Sequence, residues 1–283
     1  MNIRKVLKEF AQEKQLREGF DDAGEPDLKY YAFDWDDNIV TMPTQIVLSD
    51  DKGNEVGMST EDFAEYRERI GKEPFEYKNK TIIGYAEDPY RNFRVEGDKA
   101  FIIDAMVAKP GPSWDDFVEA INGGSIFSII TARGHNPNTL REAVYNMIVS
   151  DHNGISKDKL LSNLKRYREY FDETKMNDKE MIDFYLDLAK FHPVTYGEGS
   201  AANPEEGKIV ALRNFLSYVK SMAQQLGEKA YFKNGIKNNF VPNIGFSDDD
   251  TKNIEKIKDF LDAEDKDKLV KTYLTKGGEK VKV

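Results

Sequence analysis

The sequence predicts an α/β fold, a parallel sheet flanked by helices with further folded segments inserted between the core elements. Three observations predict it. Four short apolar runs, LKYYAF (28–33), SIFSII (125–130), FHPVTYG (191–197) and VPNIGFS (241–247), have the length and composition of buried strands. The stretches between them carry apolar residues at helical spacing, and strands alternating with helices imply parallel pairing. Three of the four runs lead into Asp34, Thr131 and Asp248. In such sheets ligands gather at the carboxyl ends of the strands.

The elements follow in chain order. Val6, Leu7, Phe10, Ala11 and Leu16 give residues 1–27 the pattern of an N-terminal helical extension, ended by the turn-rich DDAGEPD. Beyond the first strand, TQIVL and EVGM flank SDDKGN, which predicts a hairpin with Gly53-Asn54 in its turn. STEDFAEYRERIG (59–71) opens with a hydroxyl cap and acidic residues, as a helix does, and Gly71 closes it. TIIGYA (81–86) and AFIIDAMVA (100–108) read as short strands. PSWDDFVEAI is a helix that starts at Pro112 or Ser113 and ends at NGG; NTLREAVYNMIV is another. Residues 155–190 are helical by the spacing of Leu160, Leu161, Leu164, Tyr167, Met181, Phe184 and Leu188. A long helix begins near Pro204, and a lysine-rich helix and tail finish the chain.

This reading assigns 28–41, 110–150 and 190–283 to one core, with insertions at 42–109 and 151–189. Both insertions exceed ordinary connecting loops, so each must fold into something of its own. The first carries a hairpin and a helix and the second is purely helical; either is a candidate to cover the strand ends.

Composition narrows the function classes. The chain has 283 residues and no cysteine, which excludes disulfides, thiolate metal sites and cysteine nucleophiles together. The net charge of −10 argues against a nucleic-acid partner, which needs clustered Lys and Arg, but leaves room for a small anion beside a bound cation. No stretch approaches the ~20 apolar residues of a membrane span, and the N-terminus lacks a signal-peptide core, so a cytoplasmic location is expected.

The chemistry-bearing residues form one constellation. FDWDDN places Asp34 and Asp36 two residues apart at a strand end. One carboxylate can attack phosphorus while the other protonates the leaving oxygen and later deprotonates water. Such a site needs a cation, and Asp248 and Asp249 offer oxygen ligands that suit Mg²⁺. Thr131 can hydrogen-bond a phosphoryl oxygen. Lys208, in the first turns of its helix, can screen the nucleophile, with Lys190 as the alternative lysine.

FDWDDNIV, PSWDDFVEAINGGSIFSIITARG and NIGFSDDDTKN resemble the first, second and fourth motifs of the haloacid dehalogenase-like superfamily. The resemblance covers roughly residues 28–41, 110–150 and 190–260 and implies a Rossmann-like parallel sheet with cap insertions. It further implies a Mg²⁺-dependent phosphatase that works through a phospho-aspartate. Asp34 would be nucleophile and Asp36 acid/base; Thr131, Ala132 and Lys208 would bind phosphoryl; Asp34, Asp36 (through its carbonyl), Asp248 and Asp249 would hold the metal, with Asn253 completing the fourth motif. The expected substrate is a small phosphorylated metabolite or nucleotide. Asp36 favours an oxygen leaving group, since a departing halide needs no proton. Two departures stand out: Asn38 replaces the usual Thr, and Trp35 separates the aspartates, where it is expected to reshape the mouth of the site. A phosphotransferase or mutase on the same aspartate, or a non-catalytic scaffold, are the alternative readings. Arg133 is a candidate phosphate contact, and His135 is expected at the surface of a helix start.

Overall fold

The computed structural model describes residues 28–171, 175–197, 203–234, 240–276 and 279–283. The helix expected within 1–27 lies outside the described residues. The chain forms a central sheet with helices on both faces and a smaller antiparallel sheet beside it.

The central sheet contains β1 (Lys29–Phe33), β8 (Ile126–Thr131), β9 (Lys190–Pro193), β10 (Asn243–Asp248), β11 (Val270–Lys276) and β12 (Glu279–Lys282). Their spatial order is β12-β11-β10-β1-β8-β9. All neighbours are parallel except the edge strand β12, which runs antiparallel to β11. Strand β1 shows why the sheet is buried on both sides. Its side chains alternate, so Tyr30 and Ala32 enter one core while Phe33 enters the other. Phe33 packs edge-on to Phe117 on one face, and Phe246 fills the opposite core from β10.

The helices obey the same logic. On the Phe33 face lie α3 (Trp114–Asn122), α4 (Pro137–Val149), α5 (Lys157–Tyr170) and α6 (Asp178–Leu188). On the Tyr30 face lie α7 (Pro204–Asn234) and α8 (Thr251–Glu264). Helix α7 docks through Leu212, Phe215 and Val219, all fully buried. Burying such side chains stabilises by about 1.5–3 kcal/mol each. Residues 157–188 therefore belong to the layer packed on the sheet, where Leu160, Met181 and Tyr185 share a core with Phe127.

The segment 42–109 builds the second unit. β3 (Ile46–Asp50), β4 (Glu55–Met58), β5 (Phe75–Tyr77) and β6 (Lys80–Tyr85) form an antiparallel sheet in the order β4-β3-β6-β5. Gly53, at φ 79°, sits in the β3–β4 turn, a conformation that glycine adopts without strain. Helix α1 (Thr60–Tyr66), capped by Ser59, contributes Phe63 and Tyr66 to this unit's own small core. The pair β2 (Val40–Thr41) and β7 (Lys109–Pro110) ties the two chain passages between this unit and the central sheet.

Four local expectations change. AFIIDAMVA is not a strand: it lies in α2 (Asp98–Val107), where Phe101 and Ala105 face inward four residues apart while Ile103 and Val107 face solvent. A short apolar run is ambiguous by pattern alone, and here packing against α4 selects the helix. The expected C-terminal tail contains β11 and β12, missed because their residues are largely polar: the buried positions of β11 are Thr272 and Thr275, and Val281 of β12 is exposed. Helix α1 stops at Tyr66, and Gly71 (φ 78°) belongs to a turn beyond it. Strand β9 stops at Pro193 rather than continuing through Gly197.

Candidate active site

The order of the central sheet reverses around β1: the chain moves outward through β8 and β9, then returns to add β10 and β11 on the other side. A crevice opens at such a switch point, beyond the carboxyl ends of the strands. Phe33 pairs with Ser247, so the next residues of β1 and β10, Asp34 and Asp248, emerge side by side. Their proximity is thus a consequence of strand register.

Lys208 completes the pair. From the second turn of α7 its Nζ donates to Asp34 Oδ1 at 2.9 Å and to Asp248 Oδ2 at 2.7 Å. All three residues are buried. Asp248 also accepts from the Asn253 amide at 3.0 Å and from the Asp250 N–H at 3.0 Å, so its carboxylate is fixed in orientation. Carboxylate oxygens of Asp34, Asp248 and Asp249 lie within 4.8 Å of one another. Burial, with Asp248 and Asp36 nearby, pushes Asp34 up to about 8 even though Lys208 opposes it. Burial, then Asp248 and Asp34, push Asp249 up to about 9. Burial pulls Lys208 down, but Asp248 and Asp34 outweigh it and hold the ammonium charged. Fully ionised, three carboxylates facing one ammonium would leave excess negative charge in this site, which, with burial, is why Asp34 and Asp249 are raised. A hard divalent cation with oxygen preference fits that donor set.

Asp36 reaches the same cavity by a different route. The strand ends at Phe33, and the chain then turns tightly: Asp37 has φ 52°, and the N–H groups of Ile39 and Val40 both donate to the Trp35 carbonyl. The simple alternation of a strand does not extend through this turn. Instead Arg133 holds Asp36 in a two-pronged ion pair, Nε to Oδ2 at 2.8 Å and a terminal NH₂ to Oδ1 at 2.7 Å. Arg133 is itself buried and also donates to Thr44 at 3.1 Å and faces His135 Nε2 at 3.2 Å. His135 Nδ1 lies 2.9 Å from Asp98. Burial and then the adjacent Arg133 hold His135 below its ordinary value. The neutral ring can therefore donate from Nδ1 to Asp98 while Nε2 accepts from Arg133. Arg133 is thus committed to Asp36 rather than free for a phosphate, and His135 is a buried support, not a surface residue.

Asn38, the departure noted in the sequence, is the hub beneath the site. Its amide nitrogen donates to the Asp34 carbonyl at 3.0 Å and to Ser247 Oγ at 3.0 Å; its oxygen accepts from Ser113 at 2.8 Å and Thr275 at 2.8 Å. One buried side chain thereby fastens β1, β10, β11 and the start of α3. Asn38→Ala should leave several of these groups unpaired, at about 1–3 kcal/mol each, and we expect a total loss of about 3 kcal/mol. In a chain of this size that lowers Tm by roughly 6–12 °C, measurable by circular dichroism. A fall under 2 °C would mean the hub is dispensable. Trp35 faces away from the mouth: it is fully buried against Phe101, ring centroids 5.5 Å apart.

A cavity of about 700 Å³ joins these groups. Asp34, Asp36, Thr131, Ala132, Lys208 and Asp249 all line it, together with Arg133, Thr195 and Asn253. Asp248 lies just beneath, reaching the site through Lys208. Lys190 does not join them; its ammonium donates to the Asp187 carbonyl and sits over the Tyr218 ring. The insertion supplies the facing wall with Ile46, Thr60, Phe63, Arg67, Tyr90 and Phe93, none of which the motifs pointed to. Their only sequence signal is the aromatic density of the segment. Two ion pairs clasp the insertion to α8, Arg67 with Asp250 at 3.0 Å and Glu68 with Lys252 at 2.8 Å.

No family model matches the chain, and comparison with curated proteins and with solved structures finds no match either. No helix among the described residues is long and apolar enough to cross a membrane.

Proposed function

We propose that the chain is a Mg²⁺-dependent phosphatase of the haloacid dehalogenase-like type, hydrolysing a phosphate monoester through a phospho-aspartate on Asp34. The observation that carries this reading is Lys208. Its ammonium bridges Asp34 and Asp248 at the floor of a cavity that also exposes Asp249, Asp36 and Thr131. A surface acidic cluster has no need of a buried lysine that holds two carboxylates from neighbouring strands in one orientation.

Each residue then has a role. An Asp34 carboxylate oxygen attacks phosphorus, and the ester oxygen leaves with a proton from Asp36. Asp36 next takes a proton from water, which attacks the same phosphorus and releases Asp34. Arg133 pairs with both oxygens of Asp36 as a carboxylate, the form that takes a proton from water; to act as acid in the first step Asp36 binds a proton on an oxygen turned from Arg133 toward the ester. The Thr131 hydroxyl and the Lys208 ammonium stabilise the phosphoryl oxygens, where charge is spread in the transition state. Asp34, Asp248 and Asp249, with the Asp36 carbonyl that the resemblance adds, would hold Mg²⁺, which supplies charge neutralisation and Lewis acidity at a phosphoryl oxygen.

The test is phosphate release from a panel of phosphate esters with Mg²⁺ and with EDTA. We expect turnover with Mg²⁺ and its loss in EDTA, restored by Mg²⁺ but poorly by Ca²⁺, which prefers longer bonds and higher coordination. Full activity in EDTA would remove the metal from the mechanism. Absence of turnover across the panel would favour a non-catalytic role, and transfer of phosphate to a second hydroxyl without free phosphate would favour a phosphotransferase.

A further inference from the structure

We infer that the substrate is a phosphomonoester carrying a planar aromatic base, a nucleoside 5′-monophosphate in class; this rests on the phosphatase reading above. The cavity of about 700 Å³ is far larger than a phosphate group requires and lies in the range that encloses a drug-sized organic molecule. Its two sides differ in chemistry. The floor is ionic, built from Asp34, Lys208 and Asp249, and accounts for the phosphate. The insertion lines the cavity with the rings of Phe63, Tyr90 and Phe93, with Ile46 and Ala64, and with the polar Thr60, Arg67 and Arg94.

Those rings are half-buried and locked in place. Phe63 and Tyr90 meet edge to face with centroids 6.0 Å apart, and the Arg133 guanidinium lies 4.6 Å from the Phe93 centroid. Packed aromatic rings in the same cavity as a phosphate-binding site suit a flat π-system, which stacks without needing partners for hydroxyl groups. A polyol phosphate fits it badly. Sugar hydroxyls pressed against the three rings would give up water without a replacement hydrogen bond, since Tyr90 already bonds to Tyr85; the polar side chains of this wall are Thr60, Arg67 and Arg94.

The charges limit the phosphate count. Arg67 is paired with Asp250 at 3.0 Å and Arg94 with Asp88 at 3.0 Å, while Asp37, Glu205 and Asp250 also line the cavity. A second or third phosphate would meet carboxylates instead of uncommitted cations, so the monophosphate is the species accommodated.

The decisive comparison is kcat/KM for a purine nucleoside 5′-monophosphate against ribose 5-phosphate, which share the ester and differ by the base. Stacking should favour the nucleotide by about tenfold or more. Phe63→Leu and Tyr90→Leu, which keep apolar bulk without a π face, should bring that ratio toward one. Equal turnover of the two esters, or a preference untouched by both substitutions, would overturn the proposal. If neither these two esters nor any other of the panel is hydrolysed, the phosphatase reading fails. Titration calorimetry of the same two compounds with Mg²⁺ then decides the inference alone: tighter nucleotide binding by about tenfold supports it, and equal affinity refutes it.

Discussion

On the proposed mechanism Asp34→Asn is expected to abolish phosphate release, lowering kcat by roughly 10³-fold or more, because correct positioning does not replace the covalent route. The fold should survive. Lys208 keeps its second partner, Asp248, and the Asn amide has the carboxylate's shape at a site where burial already pushes the acid up to about 8. Steady-state phosphate release and far-UV circular dichroism measured together check this. A variant that keeps a tenth of the activity would exclude Asp34 as nucleophile. Asp36→Asn should behave differently: esters with poor leaving groups lose far more than an activated aryl phosphate, since the second departs without a proton. Equal losses on both would exclude the acid/base role.

Lys208→Met is the second large effect, and it reaches stability as well as activity. The substitution leaves Asp34 and Asp248 buried without their cation. Breaking a buried pair in this way costs about 3–5 kcal/mol. In EDTA the loss should depend on pH with a defined sign. The Asp34 carboxyl is raised from 3.8 to about 8 in the folded state, so the folded protein binds a proton that the unfolded chain releases. Stability contributed by that proton is complete below 3.8 and is lost as pH rises toward about 8. Removing Lys208 removes the influence that lowers the Asp34 value, so the window widens upward. The variant should lie nearest wild type at about pH 5 and furthest from it at about pH 8.5. Thermal unfolding at the two pH values is the measurement, and a loss independent of pH would show that the carboxylates do not carry the cost. Added Mg²⁺ should recover part of the stability by binding the folded state alone.

Much of the layout was legible in the residues because it is local. LKYYAF and NIGFSD announce buried strands through composition, and DWDD and SDDD announce strand ends through an abrupt change to acidic residues. Ser59 before Thr60 marks a helix start through a hydrogen bond made within three residues. The errors have an equally local cause. In AFIIDAMVA nearly every residue is apolar, so neither a period of two nor one of 3.6 stands out. In VKTYLTK two lysines and two threonines outnumber the three apolar residues, and strand β11 is stabilised by its pairing with β10 on one side and β12 on the other.

What the sequence determined by itself was the alphabet of the site: which carboxylates, which threonine and which glycine turns stand at the ends of apolar runs. The sequence preferred Lys208 to Lys190 for its place near a helix start, but only the tertiary structure seats its ammonium between Asp34 and Asp248, through the packing of α7 on the sheet. The tertiary structure also turned Arg133 from a loop cation into the clamp on Asp36, made Asn38 the hub of four elements, and brought Phe63, Tyr90 and Phe93 into the cavity that Asp34, Asp36 and Asp249 line. The partners in those contacts are tens to hundreds of residues apart in the chain. Periodicity and capping carry information only over a turn or a strand, whereas a buried charge finds its partner through the packing of whole elements.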